Sequence, residues 1–209
     1  CLTNAGLFFL EDTGRDMKAI GFSGYSGAGK TTVLEQVIRL LRERGLRVSV
    51  VKHAHHDFDV DVPGKDSWRH RKAGAFEVLV VSGRRMALMR EFETLQEELS
   101  AHDMLAELDP SVDWAIVEGF KRSDLPKIEI WREPAADEKP RAMRFPDDPA
   151  VLAVATDDAA RLPIQPPLPL LDLNRPESIV DWMLANAERF AYKGQSTIDP
   201  HSSLKEFPR

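Results

Sequence analysis

Lys18-Ala19-Ile20-Gly21-Phe22-Ser23-Gly24-Tyr25-Ser26-Gly27-Ala28-Gly29-Lys30-Thr31-Thr32 is the stretch on which the reading of this chain turns. Lys18–Ser23 is short and mostly apolar, the pattern of a buried strand. Gly24 to Thr31 fits G-x-x-x-x-G-K-[ST] at every fixed position, between a predicted strand and a predicted helix. The chemistry needs that order. Glycines let the backbone curl until successive N–H groups point inward at phosphate oxygens. The helix that follows adds unpaired amides and the positive end of its dipole. Lys30 then reaches the β- and γ-phosphates, and the Thr31 hydroxyl is placed to ligate Mg²⁺.

Downstream, Val33, Leu34, Val37, Ile38 and Leu41 recur at helical spacing from Thr31 to Arg44, and Gly45 supplies a C-cap. Leu46–Val51 reads as a second strand, so strand, helix and strand form a right-handed parallel unit. Residues 53–66 are polar and contain Pro63-Gly64, a loop; a short helix follows from Ser67 to Ala73. Phe76–Val81 and Met86–Glu91, separated by Ser82-Gly83-Arg84-Arg85, predict a hairpin. Thr94–Leu108 is helical in pattern and ends before Pro110. Strands follow at Val112–Val117, Lys127–Trp131 and Val151–Ala155. Pro163, Pro166, Pro167 and Pro169 mark an extended connection, and Ile179–Phe190 a last helix. The fold class expected is α/β: a three-layer P-loop NTPase-like fold, a mostly parallel sheet with helices on both faces and an inserted antiparallel hairpin. The expected organisation is an N-terminal extension over 1–16, a nucleotide-binding domain over 17–190 and a disordered tail over 191–209. Met17, just ahead of the first strand, reads as the start of the core.

Composition bounds the partners. The 209 residues are 43% hydrophobic and 30% charged, as in soluble globular proteins. A formal charge of −6 leaves no global basic field for wrapping nucleic acid. Apolar runs such as Val78–Val81 are too short to span a bilayer, and Leu7–Leu10 has no basic segment ahead of it, against a secretory signal. Cys1 is the lone cysteine, which excludes an internal disulfide framework and suits a reducing cytoplasm.

Two further stretches carry chemistry. Trp114-Ala115-Ile116-Val117-Glu118-Gly119 is an apolar strand ending in a carboxylate, which at the C-terminal edge of a parallel sheet sits beside the P-loop and holds Mg²⁺ or its water. Lys52-His53-Ala54-His55-His56-Asp57-Phe58-Asp59-Val60-Asp61 gathers three of the six histidines. Imidazoles suit zinc and its neighbours, whereas Asp57, Asp59 and Asp61 are hard ligands suited to Mg²⁺. A switch segment ordered around a γ-phosphate and a plain solvated loop are the other readings. Position beside the P-loop favours a nucleotide or Mg²⁺ role, with Asp57 the best single candidate.

Together with Asp61-Val62-Pro63-Gly64-Lys65-Asp66-Ser67, Arg71-Lys72-Ala73-Gly74-Ala75 and Val117-Glu118-Gly119-Phe120-Lys121, these elements resemble the molybdopterin-guanine dinucleotide biosynthesis adaptor protein B (MobB) family from Met17 to about residue 190. The resemblance implies a homodimeric GTP-binding protein with at most slow GTPase activity. Its implied partner is the molybdenum cofactor guanylyltransferase, which joins GMP to molybdopterin. It also implies that the hairpin, Met86–Glu91 included, contributes to dimer contacts. In this reading Gly24, Tyr25, Ser26, Gly27, Ala28, Gly29, Lys30, Thr31 and Thr32 cradle the triphosphate of GTP. Thr31, Glu118 and Asp57 surround Mg²⁺, and Lys30 and Glu118 support any hydrolysis. Asp157, in Ala153-Val154-Ala155-Thr156-Asp157-Asp158, is the candidate to accept hydrogen bonds from guanine N1–H and the 2-amino group, which adenine lacks; a helix N-cap is the bland alternative.

Two rivals stand beside this reading. One is a P-loop small-molecule kinase, for which Arg84 and Arg85 are the only lid candidates. The other is a pterin-binding module whose loop grips the pterin's phosphate. The basic run Arg69, His70, Arg71 and Lys72 reads as a solvated helix face. Trp68, Trp114, Trp131 and Trp182 read as core or interface.

Overall fold

The structure, a computed structural model, describes residues 16–54, 58–92 and 99–194. The chain forms two compact units, one of residues 54–99 and the other of the remainder. In the larger unit, β1 (Lys18–Ser23), α1 (Lys30–Glu43), β2 (Val48–Lys52), β5 (Trp114–Glu118), β6 (Lys127–Trp131), β7 (Val151–Thr156), β8 (Leu170–Asp172) and α4 (Pro176–Ala185) follow in chain order. The smaller unit contributes α2 (Asp66–Lys72), β3 (Glu77–Val81) and β4 (Met86–Arg90), and α3 (Ala101–Ala106) returns the chain to the first.

The six strands of the main sheet lie in the order β2-β5-β1-β6-β7-β8, every pair parallel. A parallel sheet covered on both faces needs strands that are apolar throughout rather than alternating. β5 (WAIVE) is buried at all five positions, and β6 (KIEIW) likewise. On one face Val33, Leu34, Val37 and Leu41 of α1 pack with Ile179, Val180 and Met183 of α4 over Ile20, Phe22, Ile116 and Ile128. On the other, Ala101 and Leu105 of α3 pack with Ala19, Val51, Ala115 and Val117. β1 therefore sits mid-sheet, flanked by β5 and β6, so the loop after it opens at the C-terminal edge of the sheet.

Three elements differ from their sequence reading. The helix expected from Thr94 is seen only from Ala101, where Ser100 and Asp103 form a reciprocal capping box; residues 93–98 lie outside the described residues. The expected final helix breaks at Asn186, whose side-chain amide donates to Trp182 O at 2.8 Å, and a 3₁₀ turn carries Ala187–Phe190. β8 has three residues directly after Pro169 and no alternation to mark it. Val154 N donates to Pro169 O at 3.0 Å, so the sheet itself recruits this strand. Ala191 and Tyr192 are packed on the core: Ala191 bridges Lys18, and Tyr192 N donates to Met17 O at 2.8 Å.

In the smaller unit β3 and β4 form the expected antiparallel hairpin, Glu77 opposite Arg90. The basic run on α2 is not simply a solvated face. Arg71 donates to Asp59 Oδ1 (2.7 Å), Asp61 Oδ2 (3.1 Å) and Glu91 Oε1 (2.6 Å), joining loop, helix and hairpin end. Asp61 also accepts from Ser67 Oγ at 2.8 Å. Desolvation acts to raise the Asp61 pKa, but the bonds from Ser67, Arg71 and Val62 outweigh it and hold the carboxyl below the usual aspartate range. The Asp61 N–H bond and Arg71 do the same for Asp59. A depressed acid contributes stability above its unfolded pKa and loses it as pH falls through its folded one. Arg71→Ala is expected to expose residues 59–72 to faster amide exchange at neutral pH, with α1 unaffected; unchanged protection there would remove the clasp from the account. Among the described residues no helix is long and apolar enough to cross a membrane.

Candidate nucleotide-binding site

The P-loop leaves β1 at Ser23 and enters α1 at Lys30, as the motif requires. Gly24 has φ +146°, and a Cβ there would lie 2.4 Å from Ile130 O, so the backbone passes against β6 where no side chain fits. Gly29 is the N-cap of α1 in a left-handed conformation, with no side-chain cap and no acid in the first turn. The first intrahelical bond runs from Val33 N to Gly29 O at 3.1 Å, so the amides of Lys30, Thr31 and Thr32 have no partner within the helix.

Lys30 folds back over its own loop, donating to Tyr25 O at 2.7 Å and Gly24 O at 3.1 Å. Desolvation lowers its pKa first; Glu118 opposes the shift, while Lys121, Lys52 and Arg141 add to it. Thr31 Oγ1 donates to Glu118 Oε1 at 3.4 Å, and Lys52 Nζ lies 3.6 Å from Glu118 Oε2. Two of the three residues expected around Mg²⁺ are thus brought together from positions 31 and 118, and a hydroxyl beside a carboxylate is a hard-oxygen donor set of the kind Mg²⁺ takes when phosphates complete its shell. Glu118 is set by a tight turn. Gly119 (φ +101°) would place a Cβ 2.9 Å from His53 Cβ, and Phe120, at φ +35°, lays its ring 4.7 Å from that of His53.

Asp57, with His55 and His56, lies outside the described residues. Asp59 and Asp61 hold Arg71, as above. Among the described residues no group of three His, Cys, Asp or Glu is arranged to hold a metal. Asp157, at the end of β7, opens on a cavity of about 450 Å³ lined with Arg132, Glu133, Asp158, Arg161 and Asn174. The capping role falls to its neighbour: Asp158 Oδ1 accepts from Ala160 N at 2.9 Å at the head of a 3₁₀ turn. Asp157 faces Arg132, whose Nε lies 3.3 Å from Asp157 Oδ2.

Arg132 and Arg141 are residues that the sequence reading missed. Both reach the P-loop: Arg132 Nη1 lies 3.0 Å from where a Cβ would stand on Gly29, and Arg141 Nη2 3.6 Å from that of Gly27. Arg132 had one faint signal, its place directly after a strand at the ligand edge; Arg141, in a long connection, had none. Arg84 and Arg85 instead close the hairpin turn, their amides donating to Ser82 Oγ. Trp114, Trp131 and Trp182 serve the core, as expected: Trp114 and Trp131 are buried and Trp182 packs on Phe190.

Residues 19–157 match the family model for molybdopterin guanine dinucleotide synthesis protein B. The chain belongs to the MobB family. It is 40% identical over 166 residues to the molybdopterin-guanine dinucleotide biosynthesis adapter protein of Escherichia coli K12, covering 79% of this chain and 90% of that protein. To the protein of the same description from Haemophilus influenzae it is 39% identical over 165 residues, covering 78% and 86%. The fold matches the crystal structure of Bacillus subtilis MobB with a TM-score of 0.61 at 23% identity, over 81% of this chain and 97% of that one. This MobB-family chain thus shares with that solved structure an α/β fold that 23% identity would not by itself reveal.

Proposed function

We propose that this chain binds Mg²⁺–GTP and acts as an adaptor in molybdopterin-guanine dinucleotide biosynthesis, the process for which its relatives are named. One observation carries the ligand: the Thr31 hydroxyl and the Glu118 carboxylate meet at the mouth of a glycine-rich loop over which Lys30 is folded. The amides and the Lys30 ammonium supply the charge-assisted bonds that a polyphosphate accepts. Mg²⁺ would neutralise charge on the β- and γ-oxygens, with Thr31 and Glu118 supporting it and Asp57 the further candidate. The cavity beside Asp157 suits a base, and the Asp157 carboxylate there, which also faces Arg132, favours guanine over adenine. Hydrolysis is slow in this reading, as the family resemblance implies.

The hairpin supports a homodimer. Val81 and Met86 are 70% and 68% exposed on it, and Leu79, Val80 and Leu88 are exposed too, more apolar surface than a monomer usually leaves in one place. The adaptor's partners are then a second copy, the molybdenum cofactor guanylyltransferase and molybdopterin, in the cytoplasm. The test is equilibrium binding of GTP, ATP and molybdopterin, each with and without Mg²⁺. Tighter binding of GTP than ATP, dependent on Mg²⁺, is expected; competition between GTP and molybdopterin for one site would overturn the assignment. Asp157→Asn is expected to reduce the preference for GTP over ATP by about tenfold, since the amide replaces one of the two carboxylate acceptors for the guanine edge with a donor. An unaltered ratio would free Asp157 of that role.

A further inference from the structure

The loop from Arg132 to Phe145 is pinned at both ends. At its start, the Trp131 indole N–H donates to Arg141 O at 3.0 Å. At its end, the Glu129 carboxylate, 1% exposed, accepts from Arg144 N at 2.8 Å and Phe145 N at 2.9 Å. These bonds hold residue 141 over the P-loop. The Arg141 side chain is 10% exposed, with Nη2 beside Gly27, Nη1 donating to Arg132 O at 3.5 Å, and Glu138 as its carboxylate partner. Next to it, Arg132 covers Gly29, and its buried Nε finds no hydrogen-bond partner among the described residues, since Asp157 stands out of line with it.

Two guanidinium groups over a loop that already carries Lys30, with Lys52 and Lys121 near enough to oppose its charge, leave a surplus of positive charge that an anion would relieve. Three carboxylates stand against these five cations: Glu118 beside Lys30 and Lys52, Asp157 beside Arg132, and the half-exposed Glu138 beside Arg141. A local pair three residues apart whose glutamate is half in solvent gives little reason to bury the arginine against a glycine loop. We propose that Arg141, backed by Arg132, is a built-in clamp on the polyphosphate: its planar fork leaves Glu138 and takes phosphate oxygens that project past Gly27. The clamp comes from the same chain, so the site needs no partner's arginine to close on its ligand. This rests on the reading of the P-loop as a triphosphate site and adds a residue to it.

The test is calorimetric binding of Mg²⁺–GTP and of inorganic pyrophosphate to the full chain and to Arg141→Ala, Arg141→Lys and Glu138→Ala, with thermal midpoints recorded. Arg141→Ala is expected to weaken both ligands by about 10- to 100-fold, the worth of a charge-assisted pair of bonds. Arg141→Lys should recover only part, because an ammonium lacks the fork. Glu138→Ala should bind as well as the parent or better, since it releases the arginine. If the parent binds neither ligand, the triphosphate reading fails and the clamp with it. If the parent binds and Arg141→Ala binds within about twofold of it, the clamp alone fails. Equal weakening by Glu138→Ala and Arg141→Ala would make Arg141 a brace for the loop and overturn the proposal. Should Arg141→Ala not fold, Arg141→Lys decides: parental affinity would refute the clamp.

Discussion

Lys30→Ala is expected to weaken Mg²⁺–GTP binding by about 100-fold or more, the upper end for removing a charged donor, with the thermal midpoint little changed. Among the described residues the ammonium donates to two carbonyls of its own loop, Gly24 O and Tyr25 O. Its pKa is lowered, by desolvation first, so its charged form is disfavoured by the folded loop at neutral pH and its loss takes no support from the fold. A bound polyanion reverses that balance by favouring the ammonium. Binding should therefore take up a proton between the free and bound pKa values, and affinity should fall as pH rises through the lowered free value. The pH dependence should vanish in Lys30→Ala. Titration with labelled GTP from neutral to alkaline pH checks both; unchanged affinity in the variant would remove the lysine from the site.

Gly24→Ala is expected to cost about 3–5 kcal/mol, a large share of the stability of a domain this size. Two causes add. A non-glycine residue at φ +146° is strained by about 1–3 kcal/mol. Its Cβ would also stand 2.4 Å from Ile130 O, a backbone atom of a buried strand that has no room to move. Gly45→Ala separates the two, because Gly45 has φ +80° with nothing within 4 Å of its added Cβ and should cost only the strain. Urea unfolding of both variants measures the difference. Equal losses would mean that the loop is not pinned on β6.

Much of the site was written locally. Gly24 to Thr31 and the strand ending at Glu118 could each be read from a few adjacent residues, because a phosphate cradle is made from consecutive amides and a sheet-edge carboxylate from the strand that carries it. The His55 to Asp57 run lies outside the described residues, so Asp57 keeps its standing as a candidate only. Arg71 was misread because a run of four basic residues resembles a solvated face until the carboxylates at 59, 61 and 91 are seen around one of them.

The amino-acid order alone determined the α/β class, the position of the phosphate loop, the hairpin and the central strands, since hydrophobic periodicity, glycine placement and turn chemistry act over a few residues. Tertiary structure alone decided that Thr31 meets Glu118, that β8 joins the sheet and that Arg132 and Arg141 close over Gly29 and Gly27. The physical reason is separation along the chain. Those contacts join segments far apart in sequence, or depend on a bond that exists only once the sheet has assembled, and no local pattern records them.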